Sequence, residues 1–183
     1  MSAADFIREV SHLPGGEAIA ECIQCGTCSA SCPNVGLMEY SPRKIIAMAR
    51  AGMRERVLQS NSMWYCVSCQ LCSLRCPKDV KPSEIMHVLE SLSIKYGLDS
   101  KRTRNPAMYK AFVDSIKNYG RIYELGFMIK FCLKTNPFAL FGLMSVGIDL
   151  FLSGRLALTP SKAGDTGQKV RALLQRAHAV KEA

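Results

Sequence analysis

Eight cysteines fall into two runs with the same spacing. The first reads Cys22-Ile-Gln-Cys25-Gly-Thr-Cys28-Ser-Ala-Ser-Cys32-Pro33, and the second reads Cys66-Val-Ser-Cys69-Gln-Leu-Cys72-Ser-Leu-Arg-Cys76-Pro77. Both are C-x2-C-x2-C-x3-C-P, the thiolate pattern that holds 4Fe–4S cubanes. Three ligands come from one tight loop, and the two-residue spacers let the chain wrap the cluster with N–H groups aimed at sulfur. Where such runs are paired, the fourth cysteine of each ligates the other cluster. One centre is therefore assigned to Cys22, Cys25, Cys28 and Cys76, and the other to Cys66, Cys69, Cys72 and Cys32. Pro33 and Pro77 fix φ just after each fourth ligand and turn the chain away. Two 4Fe–4S clusters are the expected cofactors, and electron transfer is the chemistry.

Other uses of cysteine fit the spacing less well. Structural zinc takes two separated C-x2-C pairs. Disulfides need an oxidising compartment. Met1 to Val10 carries Asp5, Arg8 and Glu9 without an apolar core, so no secretory signal is expected and thiols should stay reduced. The ninth cysteine, Cys132, stands in apolar Phe131-Cys132-Leu133 and reads as a buried free thiol. Trp64 and Tyr65, just before Cys66, read as aromatic cover over a cluster. His12, His87 and His178 have no metal-ligand partner at helical spacing and read as structural or exposed. Apolar shielding of the clusters is expected from Ile23, Val35, Leu37, Trp64, Val67, Leu71 and Leu74.

The elements that must position these runs read as helices, and the fold class is all-α. Ser2 caps a first helix with Phe6, Ile7 and Val10 on its apolar face, ended by Pro14-Gly15-Gly16. Ser41-Pro42 opens a helix that Gly52 closes, and Arg54 to Gln59 forms a short one. Pro82-Ser83-Glu84 opens another, with Ile85, Met86, Leu89 and Leu92 on one face, stopping at Gly97. A polar linker, Gly97 to Arg104, leads to an Asn105-Pro106 helix, then to helices over 121–133, 138–152 and 168–180, with 156–167 irregular. This predicts a cluster-binding domain over 1–98 and a basic helical extension over 99–183. Cysteine run plus helix is the one internal repeat.

The chain has 183 residues, 48% hydrophobic and 21% charged, a globular composition. Its net charge of +9 is uneven: residues 1–100 sum to zero and residues 101–183 carry the whole excess. Each oxidised cubane with four thiolates carries about −2, so the basic extension offsets that charge or docks acidic faces of partners. Nucleic acid is disfavoured, because the basic residues are interleaved with apolar helix faces. The longest uncharged apolar run, 138–148, is about half the roughly twenty residues of a span, so at most a peripheral membrane contact through residues 121–155 is expected.

Three segments resemble one family: Cys22 to Pro33, the helix start Ser41-Pro-Arg-Lys44, and Trp64-Tyr-Cys-Val-Ser-Cys-Gln-Leu-Cys72; Gly154-Arg-Leu-Ala-Leu-Thr-Pro160 resembles its tail. The family is that of the C-type iron–sulfur subunits of heterodisulfide reductase (the HdrC family). The resemblance implies an alpha-helical ferredoxin fold and a cytoplasmic hetero-oligomer, peripheral at the inner membrane face if residues 121–155 meet lipid. It implies electron relay between a flavin-bearing A-type (HdrA-like) subunit and a catalytic B-type (HdrB-like) subunit with CCG motifs. This chain has no Cys-Cys pair, so it reads as a non-catalytic electron-transfer subunit of an oxidoreductase complex. The cysteine runs also occur in iron–sulfur subunits of quinone-linked dehydrogenases, and relatives serve sulfur-oxidising Hdr-like complexes; these are the alternative settings.

Overall fold

The computed structural model describes residues 3–98, 104–136, 138, 142, 144–154 and 164–182. Among them every regular element is helical, as the periodicity predicts. The chain divides into two compact units, Met1–Pro106 and Ala107–Ala183.

The first unit opens with α1, Ala3–Ser11, whose Phe6 and Val10 lie one turn apart and are fully buried. A tight turn follows. A Cβ on Gly16 would fall 2.0 Å from the Val10 carbonyl oxygen, so only glycine lets the chain double back here. Each cysteine run then contains a single helical turn: α2, Thr27–Ala30, in the first and, later, α5, Leu71–Leu74, in the second. Between them stand α3, Pro42–Arg50, and α4, Arg54–Leu58; α6, Pro82–Lys95, closes the unit. Both α3 and α6 begin on a proline, whose fixed φ suits the first helical position and whose missing N–H costs nothing there.

The core of this unit gathers Phe6, Val10 and Ile19 with Ile45 and Ile46 of α3, Val57 and Leu58 of α4, and Ile85, Leu89 and Leu92 of α6. All but a trace of each side chain is removed from water, at roughly 1.5–3 kcal/mol apiece. Buried hydroxyls inside it are bonded. The Ser93 hydroxyl donates to the Leu58 carbonyl at 2.8 Å, tying α6 to the end of α4. At the rim, Tyr96 and Lys95 donate to Glu9 at 2.5 and 3.1 Å, and the Arg54 guanidinium lies 3.7 Å from the Tyr96 ring centre.

The second unit contains α7 (Asn105–Tyr119, beginning at the boundary), α8 (Glu124–Thr135), α9 (Met144–Leu152) and α10 (Gly164–Glu182). Helix α8 starts three residues later than periodicity suggested, because Tyr123 donates its N–H to the Ser115 hydroxyl at 2.9 Å and holds Arg121–Tyr123 as a turn. Helix α10 starts at Gly164, so the end of the stretch expected to be irregular is helical; its remainder, 156–163, lies outside the described residues, as do residues 99–103 of the linker. Cys132 is buried on α8, as its setting suggested. No helix among the described residues is long and apolar enough to cross a membrane. Most of α9 is nevertheless exposed and apolar, with Val146, Ile148, Phe151 and Leu152 all open to solvent.

Candidate metal centres

The eight thiols sort into two hollows. The first, about 350 Å³, is walled by Cys22, Cys25, Cys28 and Cys76; the second, about 410 Å³, by Cys32, Cys66, Cys69 and Cys72. Each therefore takes three cysteines from one run and the fourth from the other. Pro82 lines both, so the two hollows adjoin at the start of α6.

The wrapping has a local cause. In the first run Gln24 and Gly26 have φ of 58° and 86°; in the second Ser68 and Gln70 have 53° and 61°. These flank Cys25 and Cys69. Left-handed residues on both sides of a cysteine curl the chain into a concave nest with N–H groups on its inner side. Gly26 adopts this freely, whereas a side chain in that region costs about 1–2 kcal/mol. Gln70 recovers part of the cost, since its amide oxygen accepts from the Ser83 hydroxyl at 2.6 Å.

The donor set fits cubanes. Four thiols stand around the interior of each hollow, as the corners of a cluster require. Donors already face sulfur: Val80 N–H to Cys76 Sγ at 3.4 Å, and the Gln24 amide to Cys22 Sγ at 3.3 Å. Burial pushes the thiols of Cys28, Cys66 and Cys72 up, helped by neighbouring thiolates, while the Thr27 hydroxyl draws exposed Cys25 down. Thiols that resist ionisation together lose that resistance when iron's positive charge lies between them.

The apolar cover expected over the clusters is a correction. Trp64 is 2% exposed, but it belongs to the core and lines neither hollow; Tyr65 lines the second. Val67 and Leu74 are 62% and 84% exposed, and Ile23, Val35, Leu37 and Leu71 are also open. Ile23 lines the first hollow and Val67 the second, yet both stay more than half exposed, and Leu71 and Leu74 line neither.

Sequence reasoning also passed over His87. Its Nε2 lies 2.8 Å from the Ser68 hydroxyl, between two cysteines of the second run, and its Nδ1 lies 3.1 Å from Glu90. A His and a Glu three apart on one helix face was the available signal. Glu90 raises the His87 pKa, against opposition from burial and with help from Glu84. A raised folded value means this contribution to stability is complete below the ordinary histidine pKa, about 6.5, and is lost as pH rises through the folded value. Anaerobic denaturation at several pH values should show it, and His87→Gln should flatten that part of the profile.

Residues 18–80 match the 4Fe-4S dicluster domain, so the chain carries two 4Fe–4S clusters. Three curated relatives set the context. The C2 subunit of the H(2)/formate:CoB-CoM heterodisulfide,ferredoxin reductase of Methanococcus maripaludis is 36% identical over 111 residues, 57% of this chain and 60% of that one. A C-type iron-sulfur subunit of the CoB–CoM heterodisulfide reductase of Methanocaldococcus jannaschii is 38% identical over 112 residues, with the same two shares. A protein of Archaeoglobus profundus, itself like the C-type heterodisulfide reductase subunits, is 33% identical over 129 residues, 64% of this chain and 65% of that one. The resemblance to the HdrC family read from the motifs is borne out. The matches span about 60% of the length of the first and second of these relatives.

Proposed function

We propose that this chain is the electron-relaying iron–sulfur subunit of a heterodisulfide-reductase-like complex, standing between a flavin-bearing subunit and a catalytic one. The observation that carries this reading is the sorting of eight cysteines into two adjoining hollows with exchanged fourth members. In this reading Cys22, Cys25, Cys28 and Cys76 hold one cluster, and Cys66, Cys69, Cys72 and Cys32 the other. The clusters would supply one-electron storage at two neighbouring points. The chain's own residues do the rest. The nests around Cys25 and Cys69 fix the sulfurs, the exchanged cysteines lock the two loops together, and the α3–α6 core keeps them from drifting apart.

The exposed spacer side chains give the relay its docking faces. Ile23 and Val67 line the hollows and stay exposed, and Leu71 and Leu74 of the second cysteine loop are open to solvent; a partner seated on these loops would exclude water from the clusters at the moment of transfer. The apolar α9 in the basic half is a further docking element. Lys130 and Lys134 on α8 of the same unit suit acidic partner faces. Leu74→Glu, at a side chain that lines neither hollow, should leave the iron content unchanged and abolish co-purification of partner subunits. Flotation of the full chain with anionic vesicles, lost on Phe151→Glu, would instead move α9 to a lipid surface and favour the quinone-linked setting.

The test of the central reading is iron and sulfide analysis with EPR on anaerobically purified chain. About eight of each, with interacting signals on reduction, is the expected result. Zinc without sulfide would overturn it.

A further inference from the structure

The internal repeat reaches beyond the cysteines and breaks in charge. Helices α3 and α6 both start on proline, so Pro42 matches Pro82, and the register holds along both helices. Ile46 lines the first hollow and Met86 the second. Arg43 lines the first hollow and donates its backbone N–H to the Ser29 hydroxyl, one residue past Cys28, at 3.0 Å. Its counterpart Ser83 lines the second hollow and bonds the Ser73 hydroxyl, one residue past Cys72, at 2.7 Å. Arg50 donates to the carbonyl of Cys22, while its counterpart Glu90 places a carboxylate near Cys66. After the exchanged cysteines the pattern recurs: Lys78, two past Cys76, lines the first hollow, and Asn34, two past Cys32, lines the second.

At each of the three matched positions the first site has a cation: Arg43 and Lys78 line its hollow, and Arg50 reaches the Cys22 carbonyl from outside the lining. The second has a neutral group, an acid and a neutral group. Protonated His87 can cancel Glu90 but cannot reverse the contrast, and Glu84 opposes it. Arg75, beside Cys76, reaches Ser31, beside Cys32, so it lies between the two sites, while Asp79 follows Lys78 without lining either hollow. The loops accommodate the difference. Gly26 leaves room for Arg43, whose Cδ would lie 3.5 Å from a Cβ there, whereas Gln70 at the matching place bonds Ser83.

We propose that the centre walled by Cys22, Cys25, Cys28 and Cys76 has the higher reduction potential of the two, set by Arg43, Arg50 and Lys78, so that electrons run downhill through this chain from the second cysteine loop to the first. Reduction adds one negative charge to a centre, and fixed positive charge nearby stabilises the reduced state. The inference rests on the relay reading and orders its two stations.

An EPR-monitored redox titration of the anaerobically purified full chain tests it. Two midpoints are expected. Arg43→Gln should lower the higher one and leave the other in place, and Glu90→Gln should raise the lower one. Each shift should be roughly tenfold in the reduction equilibrium, or about 59 mV for one electron. The gap therefore narrows in both variants and narrows further in the double variant. Arg43→Lys, which keeps the charge, should keep the wild-type midpoints. The proposal is overturned if Arg43→Gln moves the lower midpoint, if the gap widens, if neither midpoint moves, or if Arg43→Lys behaves like Arg43→Gln. Should Arg43→Gln fail to assemble, Glu90→Gln decides, since a rise in the upper midpoint would reverse the order. Iron and sulfide assays on the wild-type sample identify a failure of the two-cluster reading separately.

Discussion

Replacing Cys76 with serine should destroy the centre built on the other cysteine run. The expected result is a chain with about four iron and four sulfide instead of about eight, retaining the signal of the centre held by Cys66, Cys69, Cys72 and Cys32. The argument is geometric. Cys76 belongs to the second run in sequence, but it walls the hollow of Cys22, Cys25 and Cys28. Cys32→Ser should do the reverse. A chain whose runs ligated independently would lose the second-run signal in Cys76→Ser, so spectroscopy of the two variants separates crossed from local ligation. The remaining three thiols of a damaged site, one of them exposed and with no fourth ligand, are a poor cradle for iron. Complete loss of one centre is therefore expected, and not a mild shift.

The second large effect concerns the scaffold. Leu89 sits in mid-α6 with no exposed surface, packed in the core shared by α1, α3 and α4. Leu89→Ala removes its methyl groups and leaves a cavity bounded by helices that cannot close in, at a cost of about 2–5 kcal/mol. Set against a total stability of roughly 5–15 kcal/mol for an ordinary domain, that is a large share. The denaturant midpoint of the anaerobic holoprotein should fall accordingly. Because α6 also begins at Pro82, which lines both hollows, cluster release should follow the same transition and not precede it. Separate transitions for colour and helicity would show that the hollows are independent of this core.

Cysteine spacing made the cluster chemistry legible in the sequence, and the crossed grouping of thiols followed from the repeated run. Helix periodicity gave α1, α3 and α6 nearly to the residue, since each has a buried stripe and a proline or glycine boundary, whereas α7 followed from its Asn105-Pro106 start and Gly120 end while Met108 and Phe112 on its apolar side are exposed. The orientation of the spacer residues was not legible. A leucine in a cysteine loop reads as cover, yet Leu74 is the most exposed large apolar residue described and lines neither hollow. The repeat of cysteine run plus helix was legible, but the residue register of α3 on α6 was not. The chain between Cys32 and Pro42 is longer than that between Cys76 and Pro82. It carries an extra 3₁₀ turn, Val35–Leu37, after which Glu39 and Tyr40 donate to Asn61 and Ser62, both at 2.8 Å. Alignment by eye on the cysteines therefore slips before it reaches the helices. Charge contrasts such as Arg50 against Glu90 become visible only once the helices are superposed.

The exchanged fourth cysteines bear on how the protein is made. While the chain is being synthesised, Cys22, Cys25 and Cys28 emerge early, but the wall of their hollow is incomplete until Cys76 has followed. Cys32 likewise waits for the whole second loop. In the proposed ligation neither site is complete on a nascent fragment, so the factors that deliver iron and sulfide would meet a nearly finished domain. A chain truncated between the two runs should emerge colourless and be cleared as unfolded. Loading both centres together would leave the cell few half-filled relays to sort from working ones.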